Sequence, residues 1–453
     1  MPGRLRLAGA LGVRPGDVIA FTGAGGKSTA MLRLAAKLTA DGLRVLTTTT
    51  TRMARSEAAL PPLSLALGDP PTLPGDLSQS LETHRHVFLY SHDAPSDKVR
   101  GFEPAWVDAH LAAHPAADVL LVEADGARRR PFKAPYDHEP PIPTTATCVV
   151  PTAGLSVLGQ PLDEAHVYNP EAISVYTGTP PGAPITPALL ASVLSAPSLG
   201  LKNVPPAARV IPLLNQATDA SLPAAREAAA RLASRPRIAQ VLIGAVAGER
   251  PVWERHAPVA AAVLAAGQST RMGQPKLLLP WGDGSTIIRA TVGRVLAAGL
   301  AEVVVVTGEH HEALAEALAG LPVSLVNNPN YAEGEMLSSV QAGLRALEPS
   351  RAAACLVVLG DHPTLEPGVI HALLGAYTQG QGSIVVPTYE GRRGHPVLFD
   401  RVHWPGLLAL PPGSAPRHLL RAHPDAVAEI AVRSASVVQD IDTPEDYRRA
   451  RDG

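Results

Sequence analysis

The sequence predicts an α/β protein of two doubly wound, mostly parallel-sheet domains. Three observations carry that expectation. Apolar runs of strand length alternate with stretches of helical spacing along the chain, the pattern of sheets covered by helices on both faces. Two of those runs break into Gly-rich loops holding a lysine, at residues 22–29 and 264–281. The length, 453 residues, suits two or three domains at roughly 100–200 residues each.

Composition narrows the function classes. The chain is 46% apolar and 18% charged, with a formal net charge of -2. That balance gives no electrostatic case for a nucleic-acid or membrane partner. Its 2 cysteines, Cys148 and Cys355, fit a reducing compartment and lack metal-ligand spacing. Met1 to Gly16 is interrupted by glycine and proline, unlike a secretory leader, and no run approaches the ~20 apolar residues of a membrane span. A cytoplasmic location is therefore expected.

Taken in order, Asp17 to Phe21 reads as a short strand, and T-G-A-G-G-K-S-T follows at Thr22 to Thr29. Helical spacing then runs from Ala30 to Ala40. Strand, glycine turn, Lys-Ser and helix form a P-loop arrangement. Gly23, Gly25 and Gly26 let backbone amides approach phosphate, Lys27 reaches the β and γ groups, and Ser28 suits Mg²⁺. Thr29 completes this nucleotide-binding set. Phe21 stands where the usual spacing has glycine, so the loop is a shortened variant.

Leu43 to Leu46 is the next strand and runs into five threonines, Thr47 to Thr51. Hydroxyls at a strand's carboxyl end suit a ligand site, and β-branched residues equally suit an edge strand. Asp118 to Val122 is a further strand, closing on Glu123 and Asp125. Carboxylates there hold Mg²⁺ directly or through water, or cap the loop. Arg128 to Pro143 is rich in prolines, which argue against regular structure, and its cations suit either an anionic ligand or solvent. Val241 to Val246 is the last strand of this half. Domain boundaries are expected at 1–246 and 259–453, with 247–258 a polar linker.

The second half opens on the apolar run Val259 to Ala266, which breaks at Gly267. Ala265, Ala266, Gly267, Ser269 and Gly273 offer small residues for close phosphate approach, with Arg271 and Lys276 as neutralising cations. Pro275 stiffens the chain before Lys276. Thr286 or Ser285 caps a helix to about Ala298. Strands at Glu302 to Thr307 and Val323 to Val326 precede a helix at Glu335 to Leu347. A buried strand, Ala353 to Leu359, ends in Gly360-Asp361-His362-Pro363, where a carboxylate has no packing role unless it caps the next helix. Another helix runs to roughly Ala376, then a strand at Ser383 to Pro387 and the segment Gly394-His395-Pro396. The chain closes on Asp440-Ile441-Asp442-Thr443-Pro444-Glu445-Asp446, with Thr443 as N-cap and Pro444 at the first helical position.

Two family resemblances rest on these motifs. L-A-A-G-Q-S-T-R-M-G-Q-P-K, G-D-H-P, G-H-P and D-T-P-E-D, in that order over residues 259–450, resemble the MobA-like nucleotidyltransferases, and most closely the molybdenum cofactor cytidylyltransferases. The resemblance implies a Rossmann-like fold, Arg271, Lys276 and Asp361 as catalytic residues, Mg²⁺ on Asp361 and Asp442 (Asp440 as substitute), and His395 beside the acceptor. His362 replaces the usual Gln or Met and receives no role. The implied reaction joins CMP from CTP to a molybdopterin-type cofactor. T-G-A-G-G-K-S-T, V-E-A-D-G-A-R-R-R-P-F-K-A-P and H-E-P-P-I-P resemble the YqeC family over roughly residues 15–245. That family is described as accessory to selenium- or molybdenum-dependent hydroxylases, which implies an NTP-binding P-loop domain and a hydroxylase client. Leu213 to Asp219 sits where related GTPases read guanine, but Gln216 replaces the lysine, leaving ATP open. Transfer to a sugar phosphate, or cofactor delivery as a chaperone, are the alternative functions.

Overall fold

In the computed structural model, residues 5–268, 272–282, 284–332 and 335–452 are described. They fall into two compact units, Leu5–His256 and Ala257 onward.

The first unit is built on strands β1 (Val18–Gly23), β2 (Val45–Thr49), β3 (Leu63–Ala66), β4 (His86–Tyr90), β5 (Val119–Glu123), β6 (Cys148–Gly154), β7 (Leu213–Asn215), β8 (Val241–Ile243) and β9 (Glu254–His256). They lie in the order β9-β8-β7-β6-β1-β5-β2-β4-β3. Every pairing is parallel except β8 with β9. Alternate residues of β1 face opposite cores. Ile19 and Phe21 pack with Met31 and Leu34 of helix α1 (Lys27–Ala40), while Val18 and Ala20 pack with Leu46, Leu81 and Val107. Burial on both faces explains why β1 reads as an unbroken apolar run.

Two findings revise the sequence reading here. Residues 254–256, inside the expected linker, form the antiparallel edge strand of this sheet, and Trp253 packs against its core. The threonine run is not an edge strand, and only its last residues leave the sheet at the strand's carboxyl end. Thr47, Thr48 and Thr49 lie inside β2, buried between β4 and β5, and only Thr50 and Thr51 emerge beyond it.

The second unit holds β10 (Val259–Ala265), helix α2 (Ile287–Ala297), β11 (Glu302–Thr307), β12 (Ser324–Asn327), β13 (Ala354–Leu359), β14 (Ile384–Tyr389), β15 (Val397–Asp400), β16 (Val427–Ala431) and helix α3 (Pro444–Asp452). Its sheet runs β12-β11-β10-β13-β15-β14, with β16 on β14. Only β15 is antiparallel to its neighbours among these strands. Val259, Ala261 and Val263 face one core and Ala260 and Ala262 the other. After β10 the chain moves one way to β11 and β12, then returns to the opposite side of β10 as β13. Ligands of open α/β sheets bind where the strand order reverses in this way, outside the carboxyl ends. In the first unit, β1 and β6 bracket the equivalent point.

Candidate functional sites

In the second unit, β10 and β13 pair in register, Leu264 opposite Leu359, so Gly267 and Asp361 leave adjacent strands at the same edge. Thr291, buried on α2, donates to the Gly360 carbonyl at 2.9 Å and fixes the turn before Asp361. Pro275 sets the chain for the short 3-10 helix Lys276–Leu278. Lys276 Nζ then reaches Asp361 Oδ2 at 2.5 Å and Asp442 Oδ1 at 3.0 Å. Burial alone would depress the Lys276 pKa, but the two carboxylates outweigh it and hold it above its ordinary value. Three residues far apart in the chain therefore meet at one point.

Asp442 is delivered by the start of α3. Thr443 Oγ1 accepts from the Asp446 amide at 3.1 Å, and the Asp446 carboxylate accepts from the Thr443 amide at 3.0 Å, a reciprocal cap. Asp440 turns the other way and bonds His362 Nε2 at 2.8 Å. That contact holds its carboxyl below the usual range. His362 is fully buried, and its Nδ1 has no hydrogen-bond partner among the described residues. His395 stands edge-on to it, ring centroids 6.4 Å apart. Burial lowers the His395 pKa to about 4, so its imidazole is neutral at pH 7. Ala265 and Ala266 are buried at the end of β10. Ser269 and Arg271 lie outside the described residues.

In the first unit, Gly23 and Gly25 of the loop at residues 22–29 lie against neighbouring backbone, and Gly26 against the Asn215 side chain. A Cβ on Gly25, whose φ is +82°, would stand 2.2 Å from the Gly154 amide nitrogen. Lys27 is buried and donates to the Gly23 carbonyl at 2.7 Å, with Asp125 at 3.3 Å. Ser28 Oγ donates to Glu123 Oε2 at 2.6 Å. Burial pushes Glu123 up to about 7 against the pull of Lys27 and Ser28. Gly25, Gly26, Lys27, Ser28, Thr29 and Glu123 line a cavity of about 1130 Å³. Gly23 and Asp125 stand behind it, the Asp125 carboxylate accepting from the Gly23 amide at 3.0 Å.

Residues behind the cavity lining hold its walls in place. Lys133, expected in an irregular basic loop, sits in a two-residue strand (Phe132–Lys133) paired with Val167–Tyr168. Its buried ammonium meets Glu139 at 2.9 Å and Asp125 at 3.4 Å. A lysine between prolines gave no signal of that burial. Asn215 is engaged by the fold itself: its amide props the Gly25 carbonyl at 2.7 Å and accepts from the Val246 amide.

Comparison with known proteins matches both halves. Residues 261–427 match the family described as "MobA-like NTP transferase domain", and residues 19–171 match "YqeC protein". The molybdenum cofactor cytidylyltransferase of Escherichia coli strain K12 is 30% identical over 191 residues, 42% of this chain and 94% of that protein. The YqeC protein of the same organism is 37% identical over 199 residues, 44% of this chain and 75% of that protein. The crystal structure of Rv0371c from Mycobacterium tuberculosis H37Rv is 28% identical, covering 43% of this chain and 98% of that one at a TM-score of 0.39.

Proposed function

The chain belongs to the MobA-like NTP transferases through its C-terminal half and to the YqeC family through its N-terminal half, and from that premise we propose that this nucleotidyltransferase moves CMP from CTP to a molybdopterin-type cofactor. Pyrophosphate leaves, and the product serves maturation of a molybdenum hydroxylase. The N-terminal unit binds a nucleoside triphosphate in an accessory role. The observation that carries the catalytic reading is Lys276 held between Asp361 and Asp442 at the carboxyl edge of β10 and β13.

A phosphomonoester acceptor is largely dianionic at pH 7, its second pKa being near ~6, so no general base is required. The protein's task is alignment for in-line attack on the α-phosphorus and neutralisation of the departing pyrophosphate. Lys276 is fixed by its two carboxylates and stays charged, which suits it to the triphosphate. The loop from Ala265 through Gly273, with Ser269 and Arg271, is assigned to the same phosphates. His395, half-buried and neutral, is assigned to the acceptor side as a hydrogen-bonding group without charge.

Asp361 and Asp442 converge as hard oxygen donors. Mg²⁺ takes one or two carboxylates and completes its shell from phosphates and water, so the pair fits it. Bound there with the nucleotide, Mg²⁺ would neutralise triphosphate charge.

CTP is favoured over GTP by the loop, which reads A-A-G-Q-S-T-R with Pro275 before the lysine, and by the cytidylyltransferase relative matched along nearly its whole length. The deciding experiment incubates the full chain with each NTP and the acceptor and follows pyrophosphate. CTP turnover is expected, and GTP turnover without it overturns the base assignment. Lys27→Ala separates the units: dinucleotide formation persists while hydroxylase maturation fails if the N-terminal role is accessory.

A further inference from the structure

We propose that the N-terminal cavity holds two ligands at once, a nucleoside triphosphate on Gly25–Thr29 and a second, phosphate-bearing small molecule on Arg52 and Arg100. The proposal rests on the P-loop reading for its first ligand only.

Volume is the first argument. The cavity's roughly 1130 Å³ exceeds the ≈ 300–1,000 Å³ of a typical single-ligand site. The wall beyond the P-loop is the second. Just past the ends of β2 and β4 the chain forms a small antiparallel sheet of Arg52–Ala54, His92–Ala94 and Lys98–Arg100. It therefore grows from the same carboxyl edge that carries the phosphate loop. Its register sets Arg52 directly opposite Arg100, which is itself opposite His92.

Like charges facing each other across a strand pair are destabilising, so nothing in the sheet's own stability favours this arrangement. Nor can it slip by one residue to escape. Met53 and Val99 alternate with the arginines and are buried in the unit's core, so a one-residue shift would expose both. Among the described residues Arg52 has no ion pair. Arg100 has only Glu103 at 3.6 Å, an exposed contact of little energetic weight. Both arginines line the cavity, together with Lys98.

The cavity also holds carboxylates. Glu139 is engaged by Lys133 and Glu123 is turned to Ser28. Asp97 makes an exposed contact with Arg55 at 3.4 Å, and Glu57, also in the lining, has no ion pair among the described residues, leaving Arg52, Lys98 and Arg100 as a cluster of three cations on this wall. The opposite wall adds Arg128 and Arg129, whose φ values of 44° and 62° are costly for side-chain-bearing residues and cluster at functional sites. Arg128 lies 5.5 Å from the Tyr168 ring centroid. Paired guanidinium forks select planar or tetrahedral oxyanions by bidentate hydrogen bonds, which is why the second ligand is assigned a phosphate.

The test titrates the full chain by calorimetry, with Mg²⁺ and the non-hydrolysable ATP analogue AMPPNP as the first probe and inorganic phosphate as the second. The C-terminal site is common to all variants, so differences between variants report the N-terminal cavity. Phosphate should bind with AMPPNP saturating. Arg52→Ala with Arg100→Ala should weaken phosphate by about tenfold or more, the loss of charged hydrogen bonds, with AMPPNP affinity kept within about twofold. Arg52→Lys with Arg100→Lys keeps charge without the fork and should fall between, and unchanged thermal midpoints establish folding. Competition between phosphate and AMPPNP, or wild-type phosphate binding in the alanine pair, overturns the proposal. If instead AMPPNP fails to bind and Lys27→Ala changes nothing, the P-loop reading fails, while the arginine titrations still decide the second site.

Discussion

The two glycine loops follow buried central strands and end at a lysine, yet they are opposite in construction. In the N-terminal loop the glycines are forced: Gly25 has backbone 2.2 Å from where its Cβ would be, and Lys27 is already bonded within the loop. In the C-terminal loop, by contrast, a Cβ on Gly267 or Gly273 would meet nothing within 4 Å among the described residues, and its lysine is held by carboxylates from two distant segments. One site is shaped before ligand arrives by a rigid backbone, the other by convergent side chains. Backbone cradles bind phosphate, whereas cations and carboxylates held in place by one another are preorganised for charge that develops in a transfer step.

The largest effect that would break this contrast is catalytic. Lys276→Ala or Asp361→Asn should lower CTP-dependent pyrophosphate release by roughly 10²–10³-fold, the scale of removing one electrostatic group from such a site. Full activity in Asp361→Asn would remove the C-terminal site from the comparison. Next comes backbone fit. Gly25→Ala combines a left-handed φ with overlap on fixed backbone and should cost the N-terminal unit about 4 kcal/mol in denaturant unfolding. Gly267→Ala should stay within about 1 kcal/mol. Equal losses at both positions would erase the difference in construction.

A third, smaller effect is pH-dependent. Each unit holds a neutral histidine whose pKa is lowered to about 4 by desolvation, the buried His86 and the half-buried His395. Their folded values lie below the unfolded one near 6.5, so the unfolded chain binds more protons in between. The stabilisation is complete above about pH 6.5 and is lost as pH falls toward 4, on the order of 3 kcal/mol per group. His86 bonds Thr47 at 2.9 Å, away from either site. His86→Gln keeps a polar partner and should flatten the acid limb of the N-terminal transition, measured by unfolding at stepped pH. An unchanged acid limb would mean His86 is not its source.

What was legible in the sequence follows the same division. Local signals found both loops, the central strands and the cap at Thr443, because each depends on residues adjacent in the chain. They also marked Asp361, since a carboxylate closing an apolar strand is conspicuous. Long-range dependence hid the rest. Arg52 and Arg100 belong to no sequence motif and are set opposite each other only by strand register. Lys133 lay in a proline-rich stretch whose pairing with Val167–Tyr168 has no local code. The hydroxyls of Thr47 and Thr48 are satisfied by His86 and the Leu89 carbonyl, so the first part of the threonine run is interior structure, and only Thr50 and Thr51 line the cavity.

The smallest predicted effect sharpens the contrast most finely, because it moves a carboxylate without touching it. Asp442 precedes the reciprocal cap between Thr443 and Asp446, and α3 continues from there as a short, highly charged helix. Thr443→Ala removes the hydroxyl that accepts from the Asp446 amide and should cost about 1 kcal/mol of C-terminal stability. If side-chain convergence defines this site, a looser Asp442 should also lower CTP-dependent kcat severalfold, with N-terminal nucleotide binding unchanged. Thr443→Ser, which retains the capping oxygen, should restore both. Stability lost with kcat intact would instead show that Asp361 and Lys276 hold the geometry without Asp442.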